Sequence, residues 1–493
     1  MSVAHAPSLP TSRRYFKSAA IVALTILAFA IHGYHYGIED EAIYLPAIKK
    51  LIDPALYPHD SQFFMSQARW TALPWLISRV TRISHVPLAW TVLLTHFASL
   101  SLLLFGCSRI AALCFRSLRE QASSVLLFTI LLTLPVAGTR IYLADQHLHP
   151  RTLANAFVLL AIASVLERRV WRVILAGLAG LAIHPFMAAY GLFFAALLAL
   201  PFERIAEVVA IAICVIWYAP HRDAAWHEAL ATRPYYTLRN WEWYEWIGLL
   251  APFAVLWLLM QLAHRQGLAN ASKLMRVLLL YAGILCGATL GVSISQTTDF
   301  LWPLQPFRYL YIVYALMFLI GGGLLAQLFQ GYRWRWLVLM APLCAVMFVT
   351  QREEFANSRH IDLPGRQPVN AYVKAFHWAR ENTSPNSFFA LDPEYMKALG
   401  EDTYGFRAIA ERSQMADISK DAAVVTAFPG LGPEWKRQLD STRGWKKFGR
   451  GDFAKLRSFG VSWVVVEVKQ GTEARLDCPY NQDSVAVCKA PIN

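Results

Sequence analysis

The chain has 493 residues, 56% hydrophobic and only 16% charged, too apolar for an ordinary soluble protein, in which charged residues make up about a quarter. The formal charge of +13 does not point to nucleic acid, because residues 352–493 hold 20 Lys/Arg against 18 Asp/Glu and the remaining excess sits mostly in short loops between apolar blocks. The seven cysteines contain no Cys-x-x-Cys pair, so no metal framework is indicated.

In chain order, Arg13, Arg14 and Lys17 precede an apolar stretch that runs into His32, Tyr34, His35 and Tyr36. With no small-residue cleavage site there, the stretch reads as an uncleaved first helix rather than a signal peptide. Crossing a bilayer takes about 20 apolar residues. Spans are expected near 17–36, 86–106, 121–138, 150–166, 170–184, 186–200, 204–220, 246–263, 276–295, 307–329 and 335–351. The stretch 170–200 is either one long helix or two short ones broken at His184-Pro185, where proline ends or kinks a helix. Charge favours two. The break puts Arg13, Arg14, Lys17, Arg109, Arg116, Arg119, Arg168, Arg169, Arg172, Arg204, Arg265, Lys273, Arg276, Arg333 and Arg335 on one side. Eleven spans follow, with a cytoplasmic N-terminus and an external C-terminus. Short segments meeting at His184 require protein or a wet cavity at the junction.

The transmembrane part thus covers 1–351, with a long first external loop at 37–85. Two stretches of that loop have helical apolar spacing: Ile43, Leu45, Ile48, Leu51 and Ile52, then Leu73, Leu76, Ile77 and Val80. They either lie in the membrane interface or form a small external lobe. Residues 352–493 read as a soluble α/β domain. Helices are expected at 369–382, 433–440 and 452–458, and strands at 387–391, 422–427 and 461–468. No nucleotide-binding glycine motif is present. Cys478 and Cys488 can form a disulfide if this domain is external.

The leading candidate for chemistry is Glu39-Asp40-Glu41, where the first helix leaves the membrane. Adjacent carboxylates repel and one tends to hold its proton, which suits a general base or a divalent-cation ligand. The plainer alternative is a solvated acidic turn opening a helix at Ala42.

This layout resembles the C-type glycosyltransferase superfamily (GT-C): an acidic group after helix one, a long first loop with amphipathic helices, many spans and an external α/β tail. Tyr57-Pro58-His59-Asp60 and the run Gly405–Ser413 look like those of bacterial members of that superfamily. The resemblance implies sugar transfer from a polyprenyl-phosphate donor in the membrane to an acceptor outside a bacterial inner membrane. It puts the base that deprotonates the acceptor at Asp40 or Glu39. A second acidic motif of some members would fall on Asp145. A divalent cation (Mg or Mn) is possible, with Asp40 and Asp145 its candidate ligands.

The second external loop also carries Arg140, His147, His149 and Arg151. His147, His149 and Asp145 are a weak metal signal. Arg140 and Arg151 could clamp a lipid phosphate. The bland reading is a polar loop whose Pro150 opens a helix. His184 is either a packing residue or a site residue at the predicted break. Arg308 is a cation on the external side, against the charge trend, and is either a phosphate ligand or a snorkelling side chain. The tract Trp241–Trp246 reads as an interfacial belt more readily than a sugar platform. Asp392, Glu394, Arg407 and Arg412 read as surface ion pairs more readily than as groups facing the membrane cavity. Two other functions stand beside the transferase: a transporter or flippase of lipid-linked sugars, which would show repeats and paired broken helices, and a non-catalytic envelope scaffold.

Overall fold

The computed structural model describes residues 18–200, 223–236, 238–294, 301–328, 333–397 and 404–492. In chain order these form α1 (Ser18–His32), α2 (Glu41–Ile52), α3 (Gln62–Ala68), α4 (Leu73–Ser84), α5 (Leu88–Cys114), α6 (Leu118–Ile130), the two-stranded β1 (Pro135–Val136) and β2 (Ile141–Tyr142), α7 (Pro150–Leu166), α8 (Val170–Ile183) and α9 (Pro185–Ala199). Then come α10 (Ala224–Ala231), α11 (Trp243–Arg265), α12 (Ala269–Ile294), α13 (Leu310–Leu328) and α14 (Arg333–Glu354). The expected span at 204–220 lies outside the described residues.

Among the described residues, four helical stretches are long and apolar enough to cross a membrane: Leu88–Cys114, Trp243–Arg265, Ala269–Ser293 and Leu301–Gln327. Shorter apolar helices, α1, α7, α8 and α9, pack among them. Large apolar side chains point outward, including Val170, Ile174, Leu175 and Leu178 on α8 and Ile247, Leu250 and Trp257 on α11. Outward apolar faces around an apolar core are the pattern of a helical membrane protein. One close helix contact uses glycine: a Cβ on Gly322 or Gly323 of α13 would collide with α6 or with the Phe115 ring. Ser123 Oγ then reaches the Gly322 carbonyl at 2.7 Å, a small-residue packing typical of membrane helices. At the start of α11, Trp243 and Tyr244 are exposed as a belt requires, but Trp241 is buried with its ring 4.5 Å from that of Phe307.

The apolar run 170–200 is two helices. His184, at φ −154° and ψ 92°, ends α8 and starts α9. Gly177 faces Leu192 and Gly180 faces Ala188, so the two fold back as an antiparallel hairpin. At about 1.5 Å per residue each is roughly 20 Å long, shorter than the hydrocarbon it would cross.

The tail contains α15 (Ala371–Asn382), β3 (Phe388–Ala390), α16 (Phe406–Ala410), β4 (Ser413–Gln414), α17 (Lys420–Ala427), α18 (Gly432–Thr442), α19 (Arg450–Lys455), β5 (Trp463–Glu467), α20 (Val468–Glu473), β6 (Tyr480–Gln482) and β7 (Val485–Lys489). The sheet order is β4-β3-β5-β7-β6, with β3 parallel to β4 and β5, and β7 antiparallel to β5 and β6. Strand alternation sends Val465 to the face with Phe376, and Val464 and Val466 to the face with Phe453 and Trp445. Cys478 and Cys488 are joined by a disulfide. The strand expected at 422–427 is instead helix α17. Its Ala422, Val424 and Val425 are buried, and a short apolar run does not distinguish a buried strand from a buried helix.

The tail shares its core with the first loop. Ile38, Ala42, Leu45 and Ile48 from the loop meet Phe376, Phe389, Phe406 and Ile409 in one cluster. Helix α2 is therefore covered by the tail and cannot lie against a membrane along its length. Helix α4 keeps Leu73 and Ile77 inside and exposes Trp75, Leu76, Val80 and Ile83. The two phrases singled out by resemblance dock on each other. Tyr57 Oη donates to the Arg407 carbonyl at 2.9 Å, and the Arg407 guanidinium bridges Asp60 and Asp421, with Nη1 and Nη2 at 2.8 and 2.9 Å from the Asp421 oxygens. Arg407 and Arg412 are thus buried, not surface, cations; Arg412 is spent on carbonyls, reaching that of Thr383 at 2.6 Å.

Removing one member of a buried charge cluster strands the others, at about 3–5 kcal/mol. Arg407→Met is expected to lower the unfolding midpoint in detergent steeply. Exposed Arg366→Ala is expected to leave it within error. Equal midpoints for the two variants would contradict this account of tail docking.

Candidate functional site

A cavity of about 470 Å³ lies where the first loop, the β1–β2 hairpin, the His184 junction and the tail meet. Glu39, Asp40, Arg140, Asp145, His147, His149, Arg151, His184 and Arg308 all line it. Of the residues expected from sequence, Glu41 alone does not.

Local backbone explains the acidic turn. Gly37 (φ 84°) and Glu39 (φ 45°) are both left-handed, which for glutamate costs about 1 kcal/mol and turns its carboxylate toward the cavity. Asp40 occupies the N-cap of α2 but makes no side-chain cap bond. This departs from the plain helix-opening reading, since the carboxylate is used elsewhere. Its Oδ2 lies 2.9 Å from His149 Nε2, and its Oδ1 accepts from Lys420 Nζ at 3.2 Å. Lys420 Nζ also reaches Glu39 Oε2 at 2.6 Å. His149 Nδ1 accepts the Arg151 backbone N–H at 2.8 Å, so neutral His149 carries its proton on Nε2 and donates it to Asp40. Burial opposes ionisation of Asp40, but the Lys420 ammonium, the His149 donor and the Arg151 charge outweigh it and hold the carboxyl well below its usual range.

Glu41 is a strut. Its Oε2 accepts from Gly37 N at 2.6 Å and its Oε1 from Leu148 N at 2.8 Å, tying the first loop to the second. Burial pushes its carboxyl up to about 8, against the pull of those two N–H groups.

The second loop differs from the expected phosphate clamp. Arg151 is committed to Asp145, with Nη2 2.5 Å from Oδ1 and Nε 3.3 Å from Oδ2. Burial raises the Asp145 carboxyl, but Arg151 and the neighbouring histidines bring it down to about 2. Arg140 sits at the hairpin tip in left-handed backbone, its guanidinium 5.3 Å from the Tyr235 ring centroid. Burial lowers the His147 imidazole to about 4, and both its ring nitrogens lack a hydrogen-bond partner among the described residues. Arg308 makes no ion pair with a carboxylate among the described residues, and its buried Nε is likewise unpartnered. His184 Nδ1 accepts the Met187 N–H at 3.3 Å, so neutral His184 has its Nε2–H left for the cavity.

No group of three or more His, Cys, Asp or Glu is arranged for a metal ion among the described residues. Asp145 is spent on Arg151, and Lys420 occupies the place between Glu39 and Asp40 that a bridging cation would take. The expectation of a divalent cation on Asp40 and Asp145 therefore finds no support in the geometry. Sequence reasoning missed Lys420, Arg233 and the Tyr142–Glu354 contact (2.9 Å), all cavity-lining. Lys420 lies 380 residues from Asp40, and no local pattern marks it. No family model matches the chain, and no curated protein matches it.

The arrangement presents an oriented carboxylate, a guanidinium without a carboxylate partner among the described residues and an imidazole N–H in the same cavity. It can accept a proton from a hydroxyl and bind an anion at once.

Glu41 supplies a test of the electrostatics. Its folded-state carboxyl titrates near 8 and its unfolded-state one near 4.5, so the folded state holds the extra proton between those values. Stability from this group is complete below about 4.5 and is lost as pH rises through about 8. Glu41→Gln is expected to flatten the fall in melting temperature between pH 5 and pH 8, whatever its constant effect. A parallel profile in the variant would refute the buried, protonated strut.

Proposed function

We propose that this protein is a GT-C-type glycosyltransferase that moves a sugar from a polyprenyl-phosphate donor to an acceptor hydroxyl on the periplasmic side of a bacterial inner membrane. The reading includes eleven spans, a cytoplasmic N-terminus and a periplasmic tail. The observation that carries it is the shared cavity of Asp40 and Arg308 in a helical membrane protein. A base and an uncommitted cation are the minimum such a transfer needs.

Asp40 is favoured over Glu39 as the base because both its oxygens are oriented, one by His149 and one by Lys420. It takes the acceptor proton as the hydroxyl oxygen bonds to the anomeric carbon. The bond from that carbon to the phosphate oxygen breaks, and the lipid phosphate leaves with the electron pair. Arg308 and the His184 Nε2–H balance the charge gathering on that oxygen. The GT-C resemblance implies inversion at the anomeric carbon. Arg151 and Arg140 drop out as direct phosphate ligands, the first because it neutralises Asp145 and the second because it stacks on Tyr235.

The test uses purified protein in nanodiscs with radiolabelled undecaprenyl-phosphate sugars and an envelope extract as acceptor. Asp40→Asn is expected to lower transfer by about 10²–10⁴-fold with an unchanged melting temperature. Arg308→Met is expected to weaken undecaprenyl-phosphate binding by roughly 10–100-fold, the worth of a charged hydrogen bond. Wild-type transfer rates in Asp40→Asn would end the proposal.

A further inference from the structure

Lys420 is the first residue of α17, a helix of the tail, yet its side chain enters the cavity and is only 12% exposed. Its partners, Glu39 and Asp40, come from the turn after helix α1. The tail does not need this contact to dock. Arg407 bridges Asp60 and Asp421, Lys49 Nζ reaches the Ala408 carbonyl and Glu411 Oε1 at 2.7 Å each, and Gly405 N donates to the Gly37 carbonyl at 2.8 Å. The left-handed backbone at Glu39 points the same way, because it turns a carboxylate toward Lys420 and the cavity.

We propose that Lys420 is a positioning residue of the site: the tail delivers its ammonium between Glu39 and Asp40, bridging the two carboxylates and holding them turned into the cavity. This rests on Asp40 being the working carboxylate of the proposed transfer. Two neighbouring carboxylates without a counter-ion repel, and one of them tends to take up a proton. Other charges face the same group. Glu354 adds to the negative side, Arg233 and Arg151 add to the positive side, and neutral His149 contributes its Nε2–H. None of these bridges the pair as Lys420 does. The α17 helix is itself anchored, since Asp421 next to Lys420 is gripped by Arg407, and Trp226 Nε1 holds the Thr426 carbonyl at 3.0 Å. The placement of the base is then set by the tail as well as by the membrane helices.

A carbodiimide, which attacks protonated carboxyl groups, reads this directly and needs no substrate. Labelling of Asp40 at neutral pH, located by fragment mass spectrometry, is expected to be slow in the wild type and in Lys420→Arg. It should be about tenfold faster or more in Lys420→Gln, since each unit of carboxyl shift is a factor of ten in the protonated fraction. Lys420→Met, which also removes the charge, should match Lys420→Gln and serves if the latter does not purify folded. Equal labelling of Asp40 in wild type and either neutral variant, at matched melting temperature, overturns the proposal. Unimpaired transfer by Asp40→Asn would sink the transferase reading while leaving a labelling difference in place, so the two failures are separable.

Discussion

One ammonium stands between two carboxylates at the heart of this molecule: Lys420 Nζ, 2.6 Å from Glu39 and 3.2 Å from Asp40. The three residues come from the opposite ends of the chain, and their meeting requires everything else. The first loop must fold as helices instead of spreading along a membrane. The tail must settle on those helices. Both happen because apolar residues of the first-loop helices and of the tail are buried together, in one core that runs from Ile38 to Val487. Within that core the buried Arg407 fixes the register, because its guanidinium must satisfy Asp60 and Asp421 together.

The cavity then forms at a break in the membrane part. A hydrophobic helix that stops at His184 leaves unpaired backbone groups at the junction, and His184 satisfies one by accepting the Met187 N–H. The break also places a polar ring and the start of α9 beside Arg308 and the second loop. His149 follows the same economy one loop earlier, capping α7 with one nitrogen and serving Asp40 with the other. Two helix caps thus double as cavity-lining residues, each with its tautomer set by the backbone it caps.

Charge within the cavity is sorted into committed and uncommitted groups. Asp145 neutralises Arg151, and Lys420 pairs with both Glu39 and Asp40. Arg308 is left without a carboxylate partner among the described residues. That sorting separates the charges already paired from Arg140, Arg233 and Arg308, which line the cavity without a carboxylate partner among the described residues. Sequence spacing does not supply it, because Arg140, Arg151 and Arg308 look equivalent until their partners are known.

Much of the architecture was legible in residue order alone. Apolar block length marked helices such as α5, α11 and α12, and the proline after His184 marked the hairpin, because backbone hydrogen bonding acts over a few residues. The residue types of the site were legible too, since ionisable groups beside membrane helices are costly and stand out. Tertiary structure alone decided the rest. It made 422–427 a helix, buried Arg407, withdrew Glu41 from the cavity and brought in Lys420. The physical reason is the same in each case: burial and partner choice depend on contacts between segments hundreds of residues apart, and no local pattern encodes which distant charge will arrive.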